Sequence, residues 1–256
     1  MLWIEAQGTT VIALLVFGAC YVLTAAIFCL AAIFSRRAVA QNLQAVAPVL
    51  TLLGIILGLL IGFQAARVWT NLDRAGEYVG QEAGALRETV LLADSLPLEV
   101  RTSVRQAIRR HLHFVEAEEW PAMARGQATL QSIAVGLADA LTAVLSFTPV
   151  QANQQVAQER AVVAIEHALD ARRNRVRLSQ ADIAPIQWIV ITVLAVLILI
   201  TLALVLIEDR LAMAIAMFIY STAIAVCLVL LMVYDRPFGV GGFVIQPTVL
   251  RDIMPD

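Results

Sequence analysis

The chain has 256 residues, of which 60% are hydrophobic and only 15% are charged, whereas about 25% of a typical soluble domain is charged. The mean hydropathy is +0.81, so there is more apolar surface than a water-soluble core absorbs, and lipid is the expected solvent. The net charge is −2 and all 18 basic residues are arginine. This balance gives no support to nucleic-acid binding.

Four uncharged blocks have the length that a helix needs to cross the hydrocarbon core of a bilayer, roughly 20 residues. They cover residues 10–34, 45–66, 186–207 and 211–234. A signal peptide is the alternative for the first block, but the start of the chain is not basic and the apolar run is too long for one. Only Glu208, Asp209 and Arg210 separate the last two blocks, which predicts a tight antiparallel hairpin. The sequence therefore predicts four transmembrane helices.

Residues 67–184, between the second and third blocks, show helical spacing of apolar residues throughout. No proline interrupts residues 49–96, so the second transmembrane helix is expected to continue outward as one helix from about Ala45 to Asp94. A further helix is expected after Pro97, ending before Pro121, followed by one marked by Leu130, Ile133, Leu137, Leu141 and Val144, and a last one after Pro149. The sequence predicts an all-α membrane protein with a helical domain between its second and third transmembrane helices.

The tail, residues 235–256, begins with Pro237 and three glycines that prevent helix continuation. It is expected to form a loop with a short strand over 243–246, packed on the helical domain. No internal repeat and no low-complexity linker separates the two parts of the chain.

Arginines near the membrane predict the orientation. With four crossings, both termini and the helical domain share one side, and the short links at 35–44 and 208–210 share the other. The domain side carries Arg67, Arg74, Arg172, Arg173, Arg175, Arg177, Arg236 and Arg251, against Arg36, Arg37 and Arg210 on the other side. Eight against three predicts a cytoplasmic domain and cytoplasmic termini in an inner (plasma) membrane protein, although the pair that follows the first helix favours the reverse.

Four of these arginines, Arg172, Arg173, Arg175 and Arg177, lie within about fifteen residues of the third transmembrane helix. They are candidates for contact with anionic lipid headgroups, because basic clusters beside a membrane attract such lipids. The alternative is that they serve only as an orientation signal, and this simpler interpretation is the one that the small number of charges favours.

Motifs for catalysis and for cofactors are absent from the sequence: there is no Walker loop, no Gly-x-Ser-x-Gly and no dinucleotide fingerprint. His111 and His113 are two residues apart and do not share a helix face, so they cannot both bind one metal without a third element between them. Only His113 and Glu116 are neighbours, and a surface pair of these two residues is expected rather than a metal site. The acidic run Glu116, Glu118 and Glu119 is expected to be a solvated face or a packing collar. Cys20, Cys29 and Cys227 fall inside the apolar blocks and are interpreted as small hydrophobic residues. No metal, no cofactor and no enzyme activity is expected.

The second apolar block carries two rows of residues at spacings of four. Gly54, Gly58, Gly62 and Ala66 form a groove of small residues that lets another helix approach closely in lipid, either within one chain or between chains. The adjacent row is Ile55, Leu59 and Phe63. This second row is expected either to face lipid or to line a hydrophobic constriction where identical helices surround an axis.

At these residues the chain resembles the bestrophin superfamily, in its bacterial bestrophin-like branch. The resemblance rests on the run from Leu53 to Phe63, on the run from Glu119 to Gly126 and on the run from Asp235 to Phe238. It implies a homo-oligomer, pentameric as in bestrophins, whose second transmembrane helices surround a path for small anions of the chloride type. It also implies that Ile55, Leu59 and Phe63 form the pore neck.

The chain departs from bestrophins after the pore helix, where an Arg-Trp-Trp-type run is replaced by the residues from Thr70 to Arg74. There is also no obvious acidic calcium clasp, so calcium gating is not implied. A non-conducting membrane scaffold or sensor, whose helical domain binds a cytoplasmic partner, is the main alternative to a channel. An intramembrane enzyme is disfavoured, because the four apolar blocks contain no charged residue.

Overall fold

The computed structural model describes residues 9–34, 47–130, 135–239 and 245–253. Within these residues it contains helices and no strand. In chain order the helices are α1 (Thr9–Phe34), α2 (Ala47–Ala93), α3 (Leu98–Phe114), a π-helical segment (Val115–Glu119), α4 (Trp120–Ala124), α5 (Val135–Leu145), α6 (Ala152–Leu178), α7 (Pro185–Val205), α8 (Arg210–Tyr234) and α9 (Thr248–Arg251). The predicted all-α fold is confirmed.

Four helices are long and apolar enough to cross a membrane by length and composition: α1, α2, α7 and α8. Proline and acidic residues mark where two of them begin. Pro185 occupies the first turn of α7, where a missing N–H leaves no hydrogen bond unmade. Asp209 caps α8, because its carboxylate accepts hydrogen bonds from the N–H groups of Leu211 and Ala212, both at 3.0 Å.

The long second helix is present as the sequence predicts. α2 is continuous over 47 residues, and it ends shortly before Pro97, which precedes α3. Its first part belongs to one compact unit of the chain and its second part, from Asn71 onward, to another.

Unit 1 contains α1, the part of α2 up to Thr70, and residues Asp182–Asp235 with α7 and α8. Its core packs α2 on α7 and α8 through residues such as Leu57, Ile191 and Leu231. A second, smaller core around Leu199 and Met213 packs against α1. Inside unit 1, the backbone N–H of Ile183 donates to the Asp235 carboxylate at 3.0 and 3.3 Å, which ties the start of α7 to the end of α8.

Unit 2 contains Asn71–Ala181, Arg236–Gly239 and the described tail residues 245–253. Its core is a single cluster with members on α2, α3, α5 and α6, among them Leu86, Ile108, Leu137 and Ile165, each fully buried. Helix α5 packs closely against α3. A Cβ atom built on Gly136 of α5 would lie 2.5 Å from the carbonyl oxygen of Ala107 in α3. The backbones of α3 and α5 are therefore in direct contact at this glycine.

α3 ends at Phe114, before Pro121, as the sequence predicts, but the chain stays helical after it. After α3 the chain widens into the π segment, in which the Trp120 N–H donates to the carbonyl of Val115, five residues earlier. α4 begins at Trp120, and Pro121 lies in its first turn, where its missing N–H is tolerated. The helical path therefore continues past the proline instead of breaking at it.

Three other expectations concern residues near the edges of the described ranges. The helix marked from Leu130 begins at Val135 in the described residues, with Leu130 outside it, and Ile133 lies outside the described residues. The link at 35–44, with Arg36 and Arg37, also lies outside them. The first two residues of the short strand expected over 243–246 lie outside as well, and the last two are not in a strand.

Candidate functional site

The predicted neck row lies on an unpacked face of α2. Ile55, Leu59 and Phe63 are 56%, 57% and 71% exposed in the single chain. Leu57 and Val68, on another face of the same helix, are buried in the core of unit 1. The apolar part of α2 thus has one face that packs within its own chain and one face that no described residue of the chain covers.

The row of small residues lies on the unpacked part of α2 as well. A Cβ built on Gly54, Gly58 or Gly62 would meet no other described atom within 4 Å, and Ala66 is exposed. No described part of the chain therefore packs into this groove. Packing against the described residues of the same chain therefore does not account for the row.

The four arginines proposed for lipid headgroups divide into two pairs. Arg173 and Arg177 are exposed, but Arg172 and Arg175 are 4% and 0% exposed in the core of unit 2. Burial within the chain prevents these two side chains from reaching a headgroup, which corrects the expectation for them. These two arginines are buried because their guanidinium groups pair with carboxylates on neighbouring helices.

Arg175 is the centre of this buried ion cluster, which consists of Glu82, His111, Glu119, Arg172 and Arg175. Its Nε and one terminal nitrogen donate to the two oxygens of Glu82 at 2.7 and 3.1 Å. The same terminal nitrogen donates to Oε1 of Glu119 at 2.7 Å. The planar guanidinium suits this arrangement, because its donors form a fixed fork that matches carboxylate oxygens.

The other two members complete the ion cluster. Arg172 Nε donates to Oε2 of Glu119 at 2.7 Å, and His111 Nε2 lies 3.0 Å from Oε1 of Glu82. His111 is 1% exposed, whereas His113, two residues later on the same helix, is exposed. Glu119 is likewise not a solvated residue, since the π segment directs it to the two arginines, whereas Glu116 of the same segment pairs with Arg251 in α9.

Two of the sequence runs that carry the resemblance meet at this cluster. The Arg175 guanidinium lies over the ring of Trp120, 5.2 Å from its centroid, within the range of a cation–π contact. Phe238 packs edge-on against the same ring at 5.5 Å. Trp120 and Phe238 thus form an apolar wall on one side of the buried charge.

The carboxylate of Glu82 faces the guanidinium of Arg175, and this sets its ionisation. Burial alone would raise the pKa of Glu82, but the charge of Arg175 and the hydrogen bond from His111 outweigh it and lower the pKa to about 2. Burial would lower the pKa of Arg175, but Glu82 and Glu119 hold it above its ordinary value. Glu82 and Arg175 are therefore both charged near neutral pH.

The sequence contains a signal for this cluster in its helical spacing. Glu82 falls on the same stripe as Val79 and Leu86, and Arg172 and Arg175 fall on the stripe of small residues that α6 buries. Charged residues on an apolar stripe are rarely buried unless they are paired. What the sequence lacks is the information about which carboxylate meets which arginine.

The fold and the site define a class: a polytopic helical membrane protein with one long helix shared between its apolar unit and a charged helical unit. The model of the Bestrophin-like domain matches residues 18–250. The chain belongs to the Bestrophin-like family. No relative among the curated proteins matches the sequence.

Solved structures share the fold. Crystal structures of two single-residue variants of a bacterial bestrophin homologue from Klebsiella pneumoniae resemble the chain with TM-scores of 0.68 and 0.69, each at 16% identity. The alignments cover 93% of this chain and 96% and 99% of those chains. The structure of the same homologue obtained by Zn-SAD phasing has a TM-score of 0.65 at 15% identity, over 92% of this chain and 94% of that one. At this identity the similarity establishes the fold, and with the four apolar helices it identifies a membrane protein.

Proposed function

We propose that the protein is a homo-oligomeric anion channel of the bestrophin type, in which α2 helices from several chains surround the pore. The observation that carries this proposal is the unpacked face of α2, with Ile55, Leu59 and Phe63 more than half exposed. In an oligomer with α2 near the axis, this row becomes an apolar neck. Membership of the Bestrophin-like family supports the same arrangement.

The open glycine row supports close approach between α2 and a neighbouring chain. Without Cβ atoms, the backbone at Gly54, Gly58 and Gly62 offers a groove that a second helix fills in lipid, where packing rather than the hydrophobic effect drives association. We take five chains as the stoichiometry, from the family. In a pentamer, the five copies of Ile55, Leu59 and Phe63 would form three stacked rings of apolar side chains, one ring for each residue.

Apolar walls favour small anions of the chloride type. A weakly hydrated anion gives up its water more easily than a strongly hydrated cation, and a hydrophobic neck can close by dewetting. We further propose that the protein lies in the inner (plasma) membrane with unit 2 and both termini in the cytoplasm, as the excess of arginine on that side indicates. Arg173 and Arg177, both exposed, remain candidates for headgroup contact.

Reconstituted protein tests the channel. We expect chloride current from wild type in planar bilayers, and a several-fold change in current for Leu59→Ala and Phe63→Ala, because each widens the neck and makes it easier to wet. Leu14→Ala is the matched control, since Leu14 is an exposed leucine of α1 (73%) outside the proposed pore. It should leave the current unchanged.

The scaffold hypothesis predicts other outcomes for the same preparations. Absence of current from every variant, or an oligomer in which α2 lies at the periphery, contradicts the channel. Equal changes in Leu14→Ala and Leu59→Ala contradict the neck while leaving conduction intact. Native mass spectrometry of the reconstituted sample gives the number of chains, and a count other than five contradicts the pentamer alone.

A further inference from the structure

The part of α2 that belongs to unit 2 has one buried face and one exposed face. Ala75, Val79 and Leu86 lie on the buried face, in the core of unit 2. The exposed face carries four charged residues that form no hydrogen bond or ion pair with any residue that the structure describes: Asp73, Arg74, Arg87 and Glu88. These side chains are therefore available to a partner outside the described chain.

The four charges form two pairs of sequence neighbours with opposite order of sign. Asp73 precedes Arg74, whereas Arg87 precedes Glu88. Successive residues of an α-helix point about 100° apart, so the two members of each pair lie towards opposite flanks of the exposed face. The two pairs are fourteen positions apart, close to four helical turns. Asp73 and Arg87 therefore share one flank, and Arg74 and Glu88 share the other.

A ring of identical chains brings these two flanks together. Rotation about an axis along the membrane normal keeps neighbouring α2 helices parallel, so residues with the same number lie at the same level. Each interface in a ring joins one flank of a helix to the opposite flank of the next helix. Asp73 then faces Arg74 of the next chain, and Arg87 faces Glu88 of the next chain. Both levels therefore match in sign.

A two-fold dimer of parallel α2 helices does not match in the same way. Its interface joins each flank to an identical flank. Asp73 then faces a second Asp73, and Arg87 faces a second Arg87, so that like charges meet at both levels. The charge pattern on this face thus favours a ring over a two-fold dimer.

We propose that the exposed face of α2 in unit 2 is an assembly surface for a second copy of this chain, on which Asp73 pairs with Arg74 of the next chain. Arg87 pairs with Glu88 of the next chain at the second level. This surface rests on the ring of α2 helices in the proposed function, and it adds the contacts that orient the ring. Exposed ion pairs contribute little stability, but charges beside a helix interface set partner choice and orientation.

Chemical cross-linking of the full chain in membranes tests the assembly surface. In a background with Cys20, Cys29 and Cys227 replaced by alanine, Arg87→Cys/Glu88→Cys places one thiol on each flank. A short bismaleimide should then join the chains into a ladder of covalent bands on a denaturing gel, up to the complete ring. Arg87→Cys or Glu88→Cys alone should give no band above the dimer, because each places thiols on one flank only.

The matched control is Glu159→Cys/Arg160→Cys, an adjacent acidic and basic residue that are both exposed on α6. It should give no ladder. Absence of a ladder from the α2 pair, or an equal ladder from the α6 pair, overturns the assembly surface. Native mass spectrometry separates this failure from that of the channel: an oligomer without a ladder overturns the surface alone, whereas single chains overturn the ring as well.

Charge reversal tests the pairing itself. Arg87→Glu places two acidic side chains at each contact, so we expect a several-fold smaller share of complete oligomer in dilute detergent at low salt. Arg87→Glu/Glu88→Arg should restore the share, and high salt should reduce the difference because exposed charges are screened. Arg160→Glu should leave the share unchanged. An unaffected Arg87→Glu, or a double variant no better than the single one, overturns the pairing.

Discussion

Unit 1 and unit 2 bury polar groups by different chemistry. In unit 1 the contacts between α1 and α8 are uncharged: the Tyr21 hydroxyl lies 3.0 Å from that of Thr222, and the Thr24 hydroxyl pairs with that of Ser221. In unit 2 the core contains two carboxylates and two guanidinium groups at hydrogen-bond distance. Both units are helical, so the difference between them is the kind of polar side chain for which each core provides a partner.

The solvent that the sequence predicts for each unit, lipid for unit 1 and water for unit 2, explains this difference. A helix in lipid has no water for a charged side chain to return to, so its polar contacts are small hydroxyls that bond to a neighbouring helix or to their own backbone. A domain in water can bury a charge if a partner of opposite sign goes with it. The comparison predicts large mutational effects in the ion cluster of unit 2 and small effects at the hydroxyl pairs of unit 1.

The largest effect is expected for Arg175→Met. It leaves Glu82 and Glu119 buried with fewer positive partners, and breaking a buried ion pair costs about 3–5 kcal/mol of stability. Chemical denaturation of the full chain, followed by circular dichroism, measures the loss. The control is Arg177→Met on the same helix, where the arginine is exposed, and its effect should stay within about 0.5 kcal/mol. Similar losses of stability in the two variants would show that the buried ion cluster contributes no more to stability than an exposed arginine does.

An intermediate effect is expected for Gly136→Ala. The added methyl group meets the Ala107 carbonyl and the His111 backbone below 3 Å, and relieving such overpacking costs about 1–3 kcal/mol. Gly84→Ala in α2 is the matched control, because a Cβ there meets nothing within 4 Å. That substitution should be neutral, or stabilising by up to about 1 kcal/mol, since alanine favours a helix interior. A destabilised Gly84→Ala together with a neutral Gly136→Ala would refute the close contact of α3 and α5.

The smallest effect is expected in unit 1, for Ser221→Ala. Ser221 is fully buried and its hydroxyl pairs with Thr24, but hydrogen bonds between membrane helices contribute only about 0.6 kcal/mol on average. Thermal unfolding in detergent should shift by at most a few degrees. Thr192→Ala, whose hydroxyl bonds to the Trp188 carbonyl of its own helix, provides the baseline. A loss as large as that of Arg175→Met would remove the distinction between the units.

Much of the fold follows from the order of residues along the chain. Uncharged stretches of membrane length predict α1, α2, α7 and α8, because a helix in lipid must be apolar over its whole crossing. The absence of proline between 49 and 96 predicts the continuous α2. The two rows on α2 also follow from spacing, since residues four apart share a helix face.

Pro121 shows where local reasoning stops. A proline usually ends a helix, but a π segment before it shifts the hydrogen-bond register so that the helical path continues. Glu119 of this π segment accepts hydrogen bonds from Arg172 and Arg175, which lie more than fifty positions later in the chain. Residues so distant in sequence are brought together only by the packing of α6 on its neighbours.

The sequence by itself determined the apolar helices and the faces of α2, because these depend on composition and helical period alone. Tertiary structure decided which arginines are buried and that His111 is enclosed. It also decided that the glycine row stays open among the described residues. Burial and ion pairing depend on the distance between side chains from different helices, and that distance is fixed only when the helices pack.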